Sequence, residues 1–306
     1  MGIGAASDPT AAYVAWVTLG CRSRVHAGLS GWYRRTRPEA GPMSALTTIK
    51  RGGNRYYVHP ETRDKYPGVT SILDMLPKPF LSPWASKMAA EWAADNIGAV
   101  VQLLVNRQRQ AAVDMIKSAS RRFVSDAADT GTEVHNLFER RALGHPVGRV
   151  HPDLSPYLAA VDEFLDRYQP EFLHVEDTVW SDEHRYAGSF DWIARLDGET
   201  VMGDTKTTRS GVHESVALQL SAYANAEKII TQSGQDAPLP PITAHVVFHV
   251  RPEGWRLIPT STDRTLFATF LDLRRVFDWE TDRKHGALGA ALVDSVVSTG
   301  SQRRAS

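Results

Sequence analysis

The sequence predicts an α/β fold, a sandwich of helices around a mixed β-sheet. Three observations predict it. Strand-like segments arrive in succession at Leu173 to Trp180, Gly188 to Leu196 and Thr200 to Lys206, and the turn Asp197-Gly198 joins the last two. A helical segment from about Glu214 to Ile230 then crosses to two further strands, Ala244 to Val250 and Trp255 to Pro259. Two helices precede the meander, and a final helix, Asp263 to Trp279, follows the last strand.

From the start of the chain, residues 1 to 42 are rich in Gly, Ala, Ser and Arg without a sustained period, and read as a flexible leader. The apolar run Ala11 to Cys21 has no Lys or Arg before it and is too short to span a membrane. Residues 43 to 126 form an N-terminal hairpin and helical region. Its hairpin pairs Thr47 to Lys50 with Arg55 to Val58 around Gly52, Gly53 and Asn54, and a short helix follows from Val69 to Met75. Ser82-Pro83 opens another helix in the capping sense. Its stripe Trp84, Met88, Trp92 is expected to pack into the core. Gln102 to Asp126 reads as one long polar helix, with Arg107, Arg109, Lys117, Arg121 and Arg122 either tracking phosphates or forming a solvated face.

Residues 127 to 282 form the core and 283 to 306 a tail. Within the core, Gly131 to Leu143 is a helix stopped by Gly144, and Leu154 to Tyr168 is a second, bounded by Pro152 and Pro170.

Composition sets limits on function. The 306 residues are 42% hydrophobic, enough for a substantial core, and 35 basic residues balance 35 acidic ones. Contact with a polyanion therefore has to come from a local basic patch. The single cysteine, Cys21, excludes an internal disulfide and a four-cysteine cluster, and fits a cytoplasmic setting.

Chemistry concentrates at the end of the third strand. Alternation puts Asp204 and Lys206 on one face, and the Asp197-Gly198 turn folds Asp191 of the preceding strand toward Asp204. Two converging carboxylates repel each other, and desolvation worsens the repulsion, so a cation between them is expected. Mg²⁺ suits oxygen ligands while keeping water and phosphate oxygens in its shell. His135 on the preceding helix adds a nitrogen donor, with Glu139 one turn further on the same face. Gln219 and Tyr223 share a face of the crossover helix at i, i+4. Each feature alone is a weak signal; their order along the chain is not.

That order resembles the RecB-like branch of the PD-(D/E)XK nuclease superfamily. The resemblance rests on Tyr186-Ala187-Gly188-Ser189-Phe190-Asp191, on Gly203-Asp204-Thr205-Lys206-Thr207-Thr208 and on Gln219-Leu220-Ser221-Ala222-Tyr223. Upstream, Pro67-Gly68-Val69-Thr70-Ser71-Ile72-Leu73 and Trp84-Ala85-Ser86-Lys87 are similar to the opening of the phage and prophage exonucleases of this branch, which lack an iron–sulfur cluster. The resemblance implies a restriction-endonuclease-like mixed sheet flanked by helices. It implies metal ligation by His135, Asp191, Asp204 and the Thr205 backbone carbonyl, with Mg²⁺ or Mn²⁺ as the ion. Lys206, Asp191 and Asp204 would be catalytic, Gln219 and Tyr223 would bind substrate, and Glu176 would play a supporting part or simply form a salt bridge. The activity implied is metal-dependent DNA hydrolysis in a bacterial host's cytoplasm, by an exonuclease of phage-type recombination, replication or DNA processing. A structure-selective endonuclease and a non-catalytic DNA-binding protein are the alternatives. DNA is the expected partner, with a recombinase, single-strand-binding protein or helicase as possible associates and no membrane.

Overall fold

The computed structural model describes residues 46–290 and 292. The expected leader, 1 to 42, lies outside the described residues, as does most of the expected tail.

A small antiparallel sheet comes first, with strands β1 (Thr47–Arg51), β2 (Asn54–Val58) and β3 (Lys65–Pro67). Helices α1 (Val69–Leu73), α2 (Leu81–Asp95), α3 (Ile97–Val105), α4 (Arg109–Lys117), α5 (Ala119–Ala142) and α6 (Ser155–Tyr168) follow. The long polar helix expected over 102 to 126 is thus three helices. The chain breaks at Asn106–Gln108, where Arg107 takes a left-handed φ of 59°. Conversely, α5 runs unbroken through position 127, where the sequence suggested a boundary, and through Gly131, where it suggested a start. A helical glycine costs about 1 kcal/mol. Burial of Val134, Phe138 and Ala142 on the same helix outweighs that cost.

The strands of the meander divide between two sheets. β4 (Glu171–Val175), β7 (Trp192–Leu196) and β8 (Glu199–Lys206) belong to one; β5 (Thr178–Ser181) and β6 (Tyr186–Ser189) belong to another. Helix α7 (Ser215–Ala224) then leads to β9 (Lys228–Ile230) and β10 (Asp236–Pro238), and β11 (Ala244–Arg251), β12 (Gly254–Thr260) and α8 (Arg264–Asp278) complete the order. The expected helix to Ile230 therefore ends at Ala224, and its last residues pair as a strand with β5. β-branched Ile229 and Ile230 are fully buried there.

The central five-stranded sheet has the order β12-β11-β8-β7-β4 and is mixed: β11 runs parallel to β8, and the other pairs are antiparallel. One face carries Trp192, Ala194, Leu196, Val201, Val246 and Phe248 against α5 and α6. The other carries Ile193, Met202 and Val247 against α1, α7 and α8. Alternation along each strand, with helices on both sides, produces this layered α/β arrangement. Aromatic contacts dominate the first core, where Phe164 and Phe248 lie 4.4 Å apart, centroid to centroid. Truncating such a ring to Ala costs about 3–5 kcal/mol. Gly203 is required there because any Cβ would overlap the Trp192 indole.

The Trp84, Met88, Trp92 stripe does not enter either core; α2 has no buried residue. Instead Trp84 meets Phe123 edge-on, and Arg122 lies over the Trp92 ring, so the stripe is a half-buried seam against α5.

Candidate metal centre

Two strand-like runs, 171–181 and 186–196, each change sheet midway, and the two breaks lie side by side. The first falls at Glu176-Asp177 and the second at Phe190-Asp191. Across the break, the Glu176 amide donates to the Asp191 carbonyl at 2.9 Å and the Phe190 amide donates to the Asp177 carbonyl at 3.1 Å. Glu176 adopts a left-handed φ of 52°, a strained conformation for a residue bearing Cβ. Its carboxylate thereby joins that of Asp191 at one point.

Helix α5 brings the third group. His135 Nδ1 lies 3.5 Å from Asp191 Oδ2 and 4.0 Å from Glu176 Oε1. One ligand atom from each of His135, Glu176 and Asp191 lies within 4.8 Å of the others. Glu139, one turn along α5, is not in this group; its carboxylate accepts from Gln232 Nε2 at 3.2 Å.

A second cluster adjoins the first. In the β7–β8 ladder Trp192 pairs with Gly203, and the same register continued by one residue sets Asp191 opposite Asp204. Asp204 is 1% exposed, and Lys206 Nζ lies 2.6 Å from its Oδ2 and 2.8 Å from its Oδ1. Gln219 Nε2 donates to Asp204 Oδ1 at 2.9 Å and also reaches the Tyr223 hydroxyl at 3.3 Å. The Thr205 amide donates to Asp191 Oδ2 at 2.5 Å, linking the two clusters. Tyr223 is 2% exposed, its ring seated where a Cβ on Gly188 would have to be. It stands behind Gln219, away from solvent.

Charge is unbalanced in this region. Burial pushes the Asp204 carboxyl up to about 6, Lys206 opposes the shift and Asp191 adds to it. Burial likewise raises Asp191, against the pull of His135 and Lys206. For His135 burial acts the other way, but hydrogen bonding to Glu176 and the nearby Asp191 charge prevail, lifting the imidazole to about 9. Lys206 is raised despite burial by Asp204 and Asp191, so it stays an ammonium at neutral pH. His135 carries a proton that partly offsets the carboxylates, and ligation through Nδ1 requires losing it.

The donor set fits a divalent ion. Neighbouring ligand atoms in an octahedral Mg²⁺ shell are about 3 Å apart, so the trio closes on an ion by modest side-chain rotation. An imidazole and two carboxylates, partly open to solvent, suit Mn²⁺ as well as Mg²⁺. The arrangement differs in one respect from that expected from sequence. Glu176, given only a supporting part, belongs to the converging trio, whereas Asp204 is held by Lys206 and Gln219 beside it. The available signal was the acidic pair Glu176-Asp177 interrupting an apolar run, much as Asp191 interrupts the next one.

No family model matches the chain, and no curated protein matches it. Among solved structures, one titled "Crystal structure of SSO0001" is similar at a TM-score of 0.26 and 12% identity, covering 66% of this chain and 87% of that one.

Proposed function

We propose that this chain is a divalent-metal-dependent deoxyribonuclease of the PD-(D/E)XK type, with a restriction-endonuclease-like sheet. The observation that carries the reading is the junction of the His135, Glu176, Asp191 trio with the Asp204–Lys206 pair at one end of the central sheet. A bound Mg²⁺ or Mn²⁺ ion supplies Lewis acidity and lowers the pKa of water. The protein's own part is positional and electrostatic. His135, Glu176 and Asp191 hold the ion, with Asp204 and the Thr205 carbonyl as further ligands. Lys206 keeps its proton and faces the charge that develops on phosphate, which makes it an electrostatic stabiliser rather than a base. Gln219 fixes the Asp204 carboxylate, and Tyr223 fixes Gln219.

In this reading DNA is the substrate, and the resemblance in sequence favours an exonuclease of phage-type recombination, replication or DNA processing, acting in a bacterial cytoplasm with a recombinase, single-strand-binding protein or helicase. No described helix is long and apolar enough to cross a membrane. The test uses purified protein on linear DNA labelled separately at each end, and on closed circles, with Mg²⁺, Mn²⁺ or EDTA. Metal-dependent release from one end with circles left intact is expected. Undiminished cutting by metal-stripped protein in EDTA, or no cutting with any divalent metal, rejects the reading.

A further inference from the structure

Beyond Lys206, the sheet carries basic groups that the metal centre does not use. β8 and β11 are parallel, with Lys206 opposite His249, and in the antiparallel ladder His249 faces Arg256 of β12. Residues paired across strands share a face, so Lys206, His249 and Arg256 form one row spanning about 10 Å across three strands. Val247, two residues before His249, packs among α1, α7 and α8, which identifies the shared face as the one bearing Asp204.

At the end of this row lies a groove of about 480 Å³, bordered by Arg209, His249, Arg251, Glu253, Trp255 and Arg256 among others. The groove has a braced floor. The Thr208 carbonyl accepts from His249 Nε2 at 2.8 Å and from Arg251 Nη1 at 3.1 Å, tying the segment after β8 to β11. Glu253 is the groove's lone carboxylate among the bordering residues, and Arg251 faces it at 3.4 Å. Arg209 and Arg256 are exposed and form no ion pair within 4 Å among the described residues. In a chain with 35 basic and 35 acidic residues, such an excess beside a candidate phosphodiester site is a local feature with no counterpart in the overall charge.

We infer that this groove receives the sugar–phosphate backbone of the DNA strand next to the metal centre, with Arg209 and Arg256 each contacting a phosphate. The inference rests on the nuclease reading for its choice of DNA, but it makes a separate claim, about binding. Guanidinium groups present paired donors matching phosphate oxygens, and a brace on Thr208 keeps the track in line with Lys206.

The experiment measures binding of a labelled single-stranded DNA oligonucleotide in Ca²⁺ over a range of salt. It compares wild type, Arg209→Ala with Arg256→Ala, Arg209→Lys with Arg256→Lys, and a control removing the same charge from β1, Lys50→Ala with Arg51→Ala. Removing one side chain that neutralises a phosphate reduces the slope of log K against log salt by about 0.7 for a single strand, so the first double variant should lose about 1.4. The Lys pair should retain most of that slope and the β1 control all of it. Equal slopes in wild type and the Ala pair, an equal loss in the β1 control, or tighter binding of an RNA of the same length would overturn the inference. Binding that depends on Arg209 and Arg256 in a wild type that cuts no DNA would leave the groove standing and remove the nuclease reading. A wild type that cuts DNA with the Ala pair bound normally would do the reverse.

Discussion

The Glu176 amide donates to the Asp191 carbonyl at 2.9 Å, so two acidic residues leave their sheets at the same place and face the same histidine. Each carboxylate is placed by a strand break, the first at Glu176-Asp177 and the second at Phe190-Asp191. The geometry makes both residues candidate ligands, and on the proposed function each holds the ion directly. Asp191→Ala and Glu176→Ala should each lower Mn²⁺ affinity by on the order of 100-fold, at or beyond the upper end of what loss of an outer-shell partner costs. Titration calorimetry with Mn²⁺ checks this. Wild-type affinity in Glu176→Ala would return that residue to a supporting part.

Lys206 and Asp204 make the second prediction, because the lysine balances the buried Asp204 charge and, on the proposed function, also serves the chemistry. Lys206→Ala should slow cleavage by about 10²–10³-fold, the scale of losing one preorganised electrostatic group, while DNA affinity in Ca²⁺ falls only modestly. It should also destabilise the metal-free fold by up to about 3 kcal/mol, since Asp204 is left buried with Gln219 as its remaining side-chain partner. Asp204→Asn removes the stranded charge. Chemical denaturation should therefore find the double variant more stable than Lys206→Ala alone; the opposite order would show that the pair contributes no such balance.

Much of this site was legible in the sequence, for a physical reason: strand alternation and a two-residue turn are local, and they place Asp191, Asp204 and Lys206 on one face without further information. The mixed sheet followed from the crossover between β8 and β11. What was not legible is tertiary. The run from Leu173 to Trp180 looks like one strand because both halves are apolar, and a left-handed φ at Glu176 has no local signature. The unbroken α5 was hidden by Asp129-Thr130-Gly131, which resembles a helix start until packing of Val134 and Phe138 overrides it. Lys228 to Ile230 extends a helical pattern but finds a buried strand edge on β5.

The third prediction concerns acid stability. His245 in β11 is 4% exposed, and burial pushes its imidazole down to about 4 despite a backbone hydrogen bond at Ser261. An unfolded His titrates near 6.5, so between about 6.5 and 4 the unfolded chain takes up a proton that the folded one refuses. Stability is lost as pH falls through that window, by on the order of 3 kcal/mol in total. Asp204 acts with the opposite sign: raised to about 6, it adds stability as pH falls through that value toward the unfolded carboxyl pKa. Asp191, also raised by burial, acts in the same direction as Asp204, so the net slope mixes all three groups and the variant isolates His245. His245→Gln should lose less stability than wild type between pH 6.5 and 4.5 in urea denaturation, and parallel curves would remove His245 as a source of the dependence.

The last prediction follows from a strap that joins the segments supporting the candidate metal centre. The Gln232 amide donates to Asp177 Oδ1 at 2.8 Å, and its side chain Nε2 reaches the Val175 carbonyl and Glu139 Oε1, each at 3.2 Å. Val175 and Asp177 flank Glu176, while Glu139 lies one turn beyond His135 on α5, so Gln232 spans the two elements that must hold their register for the trio to converge. Asp177 is itself buried and pinned by His174 Nδ1 at 2.8 Å, which leaves the Gln232 side chain as the adjustable tie. Gln232→Ala removes two hydrogen bonds at a half-buried site, worth about 1–3 kcal/mol together. Their loss lets α5 and the strand break drift apart. Mn²⁺ affinity should fall about 10–100-fold, the usual effect of removing an outer-shell partner. A merely structural role predicts a different pattern, so a core variant of comparable cost, Phe270→Leu in α8, serves as the comparison. It should lower the melting temperature with Mn²⁺ affinity intact. Gln232→Glu sharpens the test by setting a second carboxylate against Glu139, and it should impair Mn²⁺ binding at least as much as Ala does. If Gln232→Ala and Phe270→Leu change melting temperature and Mn²⁺ affinity in the same proportion, the strap has no positioning role.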